Sequence, residues 1–271
     1  MRDDAMSTAY VLPSIVASTL ASGVLSTLAA GFTLRMPHAW VPRLVSFAVG
    51  ALLGAVFLEL LPHALEHGEA SRVMITVLVG LLAFFLLEKL VLWRHAHGHA
   101  EHRDDADETE HEHALHPAMP EASRPGLMIL IGNAVHSLCD GIVIAAAYLA
   151  DPALGVATTL AIVAHAVPQQ VGDFAVLLHS GFTRRKAFAF NVAAGLATLA
   201  GGLLAYGALA DMERLLPTVL ALAGASLLYV AVADLIPSLH RRPEPIETLG
   251  QMLAIGLGIA VIAVAHFVLE Q

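Results

Sequence analysis

Two short runs hold the residues best placed to do chemistry. One is His136-Ser137-Leu138-Cys139-Asp140-Gly141 and the other is His165-Ala166-Val167-Pro168-Gln169-Gln170-Val171-Gly172-Asp173. His136 and Asp140 are four residues apart, as are His165, Gln169 and Asp173, so in a helix each set falls on one face. Two imidazoles, a carboxylate and an amide oxygen form a donor set for a borderline-soft cation. It suits Zn²⁺ and can hold Fe²⁺, Mn²⁺ or Cd²⁺. The competing uses of the same groups are hydrogen bonding between helices and proton relay. Cys139 is the only cysteine, which excludes an intrachain disulfide and leaves metal chemistry to His, carboxylate and amide ligands.

The segments that must position these groups are membrane spans. The 271 residues are 57% hydrophobic and only 14% charged, with mean hydropathy +0.73, against about 25% charged in a soluble domain. Apolar runs reach the ~20 residues needed to cross a bilayer as a helix at 10–34, 43–65, 73–93, 125–149, 153–179, 186–210, 214–236 and 247–269. The expected fold is an all-α integral membrane protein of eight transmembrane helices. The first run is followed by another span and not by a small-residue cleavage site, so it is expected to remain a span. Lys and Arg number 14 against 23 Asp and Glu, for a net charge of −9, which excludes a basic surface for nucleic acid. No Gly-x-x-x-x-Gly-Lys-Ser/Thr loop is present, so ATP is not expected to drive the protein directly, and no organic cofactor is expected.

Cytoplasmic loops retain positive charge, and the basic residues are lopsided. With the N-terminus outside, Arg35, Arg43, Arg94, Arg103, Arg124, Arg184, Arg185, Lys186, Arg241 and Arg242 face inward, and only Arg2, Arg72 and Arg214 face outward. Both termini are therefore expected to be extracytoplasmic. Span two ends in Glu59-Leu60-Leu61-Pro62 and span seven in Asp234-Leu235-Ile236-Pro237, the same order in spans of opposite direction. This points to an inverted repeat of spans one to three and six to eight around spans four and five, a 3+2+3 transporter architecture. His136 and His165 sit near the middle of their spans, so antiparallel neighbours would meet at one depth. Pro168 is expected to kink span five beside them.

Other polar residues are candidates for an entrance or exit: Glu59 and His63 near the end of span two, with Glu66, His67 and Glu69 beyond; Asp173; Asn191 in span six; and Asp234 at the end of span seven, with His240. A solvated helix end accounts equally for Glu59, His63 and Asp234, and helix packing accounts for Asn191. His38, His179 and His266 lie near helix ends and need no special role. The one long connection, 94–124, carries His95, His97, His99, His102, His111, His113 and His116 among acidic residues. It is expected to be disordered, cytoplasmic and a weak, exchangeable metal buffer within a single transmembrane transporter domain spanning 1–271.

These runs resemble those of the ZIP (Zrt/Irt-like protein) family of divalent-metal transporters, most closely its histidine-rich branch. That branch reads His-Asn-x-x-Asp-Gly in span four and His-Glu-x-Pro-His-Glu-x-Gly-Asp in span five, where this chain has HSLCDG and HAVPQQVGD. Leu61 to Ala64 matches a further Leu-Pro-His-Ala stretch. The resemblance implies a transport site at His136, Asp140, His165 and Gln169, with Gln169 standing where the branch has His. It places an adjacent second site at Ser137, Ala166 and Gln170, where both carboxylates are lost, so one metal at a time is expected. It also implies import of Zn²⁺ into the cytoplasm, a homodimer, and a metal-carrying helix group sliding on a static one, with Gly195, Gly201 and Gly202 permitting close contact. Brevity and the lack of an organellar segment point to a bacterial inner (plasma) membrane. The rival readings are an intramembrane zinc hydrolase and a metal sensor or binding protein with little transport.

Overall fold

A computed structural model describes residues 2–33, 40–97, 124–210, 212–240 and 245–269. Among the described residues, eight helices are long and apolar enough to cross a membrane, and no strand occurs. They are α1 (Arg2–Thr33), α2 (Val41–His67), α3 (Ala70–His97), α4 (Arg124–Ala150), α5 (Pro152–His179), α6 (Arg184–Leu209), α7 (Leu216–Leu239) and α8 (Pro245–Leu269). All eight correspond to apolar runs in the sequence. The expected loop is shorter at its start, because α3 continues through His97; residues 98–123 lie outside the described residues.

Local chemistry sets the joints around the central pair. Asp151 caps α5, its Oδ1 accepting from the Ala153 and Leu154 amides at 2.7 and 3.0 Å, with Pro152 following where no amide partner is needed. At the other end Gly181 takes φ 84°, and the amides of Gly181 and Phe182 return to the carbonyls of Leu178 and Leu177 at 3.1 Å. This paired closure needs the left-handed conformation that glycine adopts without strain. Thr183 Oγ1 then accepts from the Lys186 amide to start α6. Between these joints α5 remains one continuous helix through Pro168.

In α2 and α7 the acid-aliphatic-Pro segments show the same departure from α-geometry. Residues Ala55–Leu60 and Val230–Leu235 form π-helical turns, directly before Leu61-Pro62 and Ile236-Pro237. A proline inside a helix offers no amide and crowds the preceding turn, and a wider turn relieves both. Glu59 and Asp234 sit inside these two turns.

Helix packing follows a paired pattern. α4 packs along α6 as α5 does along α1; α2 packs on α8 as α7 does on α3; α2 lies against α5 as α7 does against α4. Exchanging α1 with α6, α2 with α7, α3 with α8 and α4 with α5 converts each of these contacts into its counterpart. The α4–α6 contact is backbone to backbone: a Cβ on Gly201 would lie 2.0 Å from the Leu138 carbonyl oxygen. The main core gathers Leu52, Val56 and Leu60 of α2, Ile144 of α4, and Leu220 and Leu227 of α7. Ile75, Leu78 and Leu82 of α3 and Leu253, Leu257 and Val264 of α8 point outward, as lipid-facing side chains do in a spanning helix.

Candidate metal centre

α4 and α5 bring His136, Asp140 and His165 together. The two imidazole Nε2 atoms are 3.3 Å apart, and Asp140 Oδ2 lies 3.6 Å from His136 Nε2 and 3.5 Å from His165 Nε2. Bonds of about 2.0–2.1 Å at tetrahedral angles place neighbouring ligand atoms about 3.3–3.4 Å apart. The triangle is therefore already close to the size a single tetrahedral ion requires. His165 and Asp140 are buried and His136 is half-buried. The imidazole rings meet edge to face, with centroids 5.5 Å apart. His165 Nδ1 sits 3.3 Å from the Ala161 carbonyl oxygen, which can only accept, so Nδ1 carries a proton and Nε2 is the nitrogen that faces the triangle.

Gln169 stands one turn along α5, and its Nε2 donates to Asn133 Oδ1 at 3.4 Å. Asn133 also accepts from the Ser137 hydroxyl at 3.5 Å. Asn133 is not among the candidates named from the sequence, although an amide one turn before Ser137 in a membrane span is a legible signal. It ties the Gln169 amide nitrogen of α5 to α4.

The second-site positions are occupied by packing. Gln170 is buried; its Nε2 donates to Ser26 Oγ at 3.0 Å and its Oε1 accepts from Thr27 Oγ1 at 3.1 Å. Asn191 Nδ2 donates to the Gln170 carbonyl oxygen at 3.3 Å. Ser137 is engaged by Asn133, and Ala166 offers no donor atom. Gln170 and Asn191 clasp α1, α5 and α6 through neutral hydrogen bonds.

The remaining candidates are dispersed. Glu59 is buried in the π-turn of α2, and His266 of α8 points its Nδ1 at Glu59 Oε2 from 3.1 Å. His266 was expected to need no role, and its partner is remote in sequence. Asp173 is half-buried, and its Oδ2 is buried without a hydrogen-bond partner among the described residues. Asp234 is exposed, within electrostatic reach of His136 and of Glu88, which accepts the Tyr229 hydroxyl. His240 is exposed beside a cavity of about 360 Å³ between the ends of α7 and α8. His63 stacks on His67 at the end of α2. The side chains of His38, His179 and the seven loop histidines, His95 to His116, lie outside the described residues.

Comparison with known proteins agrees with this arrangement across the chain. The family described as ZIP Zinc transporter matches residues 6–266. Zinc transporter ZIP13 of Homo sapiens is 31% identical over 261 residues, covering 82% of this chain and 70% of that protein. Zinc transporter ZIP4 of Homo sapiens is 31% identical over 259 residues, covering 77% and 40%, and zinc transporter SLC39A7 of Mus musculus is 29% identical over 297 residues, covering 82% and 62%. With a match of this extent and a helical membrane fold, the chain belongs to the ZIP zinc transporter family.

Proposed function

We propose that this chain carries divalent transition-metal cations, Zn²⁺ foremost and Fe²⁺, Mn²⁺ or Cd²⁺ as competing substrates, through one intramembrane site formed by His136, Asp140 and His165, with Gln169 adjacent. The carrying observation is the triangle of 3.3, 3.5 and 3.6 Å among the two Nε2 atoms and Asp140 Oδ2. One carboxylate and two neutral imidazoles replace the water shed by the ion while leaving a positive net charge, so the ion is held without being trapped. The position left open by three protein ligands falls to water or to the Gln169 amide oxygen. A binuclear centre is disfavoured because Gln170 is engaged by Ser26 and Thr27 and position 166 is alanine.

The paired helix contacts and the two π-turns support the 3+2+3 inverted repeat. Both termini lie outside in this reading, supported by the bias of Lys and Arg, and a negative-inside potential then drives the cation inward. Asp234, exposed and near His136, is suited to receive the ion leaving the triangle. A homodimer is consistent with α3 and α8, the two least buried spans within one protomer at 17% and 11%. The loop histidines act as an exchangeable metal buffer within the single transporter domain. The protein is integral to a membrane; the relatives named above are animal proteins and lend no support to a bacterial inner membrane.

The test is metal uptake into proteoliposomes containing wild type or His136→Ala, His165→Ala, at matched incorporation. Saturable uptake lost in the double variant is the expected result. Metal bound by wild type without uptake would favour the sensor reading.

A further inference from the structure

The end of α2 carries a second set of metal-ligating side chains with no part in the intramembrane triangle. His63 and His67 lie four residues apart on one helical face, their rings stacked with centroids 4.4 Å apart and planes at 23°. His67 Nδ1 is 3.0 Å from the His63 carbonyl oxygen. A carbonyl only accepts, so Nδ1 holds the proton and Nε2 keeps its lone pair. This is the tautomer of a ligating imidazole held by its other nitrogen. Glu66 shares this turn, and one ligand atom from each of His63, Glu66 and His67 lies within 4.8 Å of the others.

The surroundings hold this turn in place. Gly68 follows His67, and a Cβ there would lie 2.8 Å from the Ala64 carbonyl oxygen and 3.0 Å from Pro217 Cβ, so the helix end is seated tightly against the start of α7. The last carbonyls of a helix favour a cation. Asp151, which caps α5, lies within electrostatic reach of His63. Glu69 is engaged by Arg72 at 3.6 Å, leaving Glu66 as the carboxylate of the cluster. Beside the two rings is a cavity of about 410 Å³, roomy enough for a hydrated ion, with Arg214 on its lining. The guanidinium opposes a nearby cation, so binding there rests on bonds to the three donors.

We propose that His63, Glu66 and His67 form a second, solvent-facing site for one divalent transition-metal cation, built on a single helix end and separate from His136, Asp140 and His165. Two imidazoles and a carboxylate match a Zn²⁺-type ion, and solvent completes its shell and permits exchange. Placement on the extracytoplasmic surface, where the site would collect metal for transport, rests on the orientation proposed above. Binding does not.

Full-length protein in detergent is titrated with Zn²⁺ by equilibrium dialysis and with Co²⁺ by its visible ligand-field absorption. Wild type is compared with His63→Ala, His67→Ala, with Glu66→Gln, and with His136→Ala, His165→Ala. The loop histidines are common to all four, so differences report the two sites alone. The expected result is one equivalent fewer in His63→Ala, His67→Ala, and that equivalent retained in His136→Ala, His165→Ala. Glu66→Gln, a mild change at an exposed helix end, is expected to weaken it by at least about 10-fold, which even an outer-shell partner can be worth. Equal stoichiometry in wild type and His63→Ala, His67→Ala, or unchanged affinity in Glu66→Gln, would overturn the proposal. Uptake that survives His136→Ala, His165→Ala would remove the central transport site while leaving this one standing.

Discussion

Gln170 provides a clean separation between a ligand and a structural clasp. Replacing it with alanine removes two hydrogen bonds between α5 and α1, to Ser26 at 3.0 Å and from Thr27 at 3.1 Å. Side-chain hydrogen bonds between membrane helices average about 0.6 kcal/mol and reach about 1.7, so the pair contributes about 1–3 kcal/mol. The low end applies, because Ser26 Oγ keeps its own bond to the Ser22 carbonyl at 2.7 Å, and Thr27 Oγ1 shares its single proton between Gln170 Oε1 and the nearer Gly23 carbonyl, at 2.7 Å. Gln170→Ala should therefore lower unfolding stability in detergent by about 1–2 kcal/mol, and Zn²⁺ affinity and stoichiometry should stay as in wild type. A double-mutant cycle with Thr27→Val should return a coupling of about 0.6 kcal/mol. Loss of bound metal in Gln170→Ala at unchanged stability would make Gln170 a ligand and refute the single-ion reading.

Three further outcomes follow from the same geometry. Gly201→Ala drives a Cβ to 2.0 Å from the Leu138 carbonyl oxygen, so it should cost about 1–3 kcal/mol as an overpacked contact and reduce uptake; Gly207→Ala, with nothing within 4 Å, should be neutral or stabilising in the same thermal and uptake assays. His266→Ala strips an imidazole partner from the buried Glu59 carboxylate and should destabilise the fold, while Glu59→Gln in that background should recover part of the loss because no charge is then buried; additive effects in denaturation would count against the pairing. Gln169→His places a third imidazole beside the triangle and should tighten Zn²⁺ binding in dialysis; Gln169→Ala should weaken it far less than His165→Ala does.

The eight spans and the His136, Asp140 and His165 triangle were legible because both are carried by local information: run length for the spans, and polar residues at mid-span, with His136 and Asp140 four apart, for the triangle. The π-turns were foreshadowed by Pro62 and Pro237, though sequence spacing indicated only a matched motif. The Glu59–His266 pair was not legible, since 207 positions separate partners that no local pattern links. In the sequence, Gln170 reads only as a missing carboxylate. Its use as a clasp depends on Ser26 and Thr27, ordinary small polar residues until α1 is laid against α5. Asn133 could have been found by asking of each intramembrane amide what it would bond.

The most direct test of the account is radiolabelled Zn²⁺ uptake into proteoliposomes containing wild type or His136→Ala, His165→Ala, with Fe²⁺, Mn²⁺ and Cd²⁺ as competitors. Saturable, competable uptake in wild type and the protein-free background in the double variant are expected. Equal uptake in wild type, double variant and protein-free vesicles would contradict a carrier centred on α4 and α5.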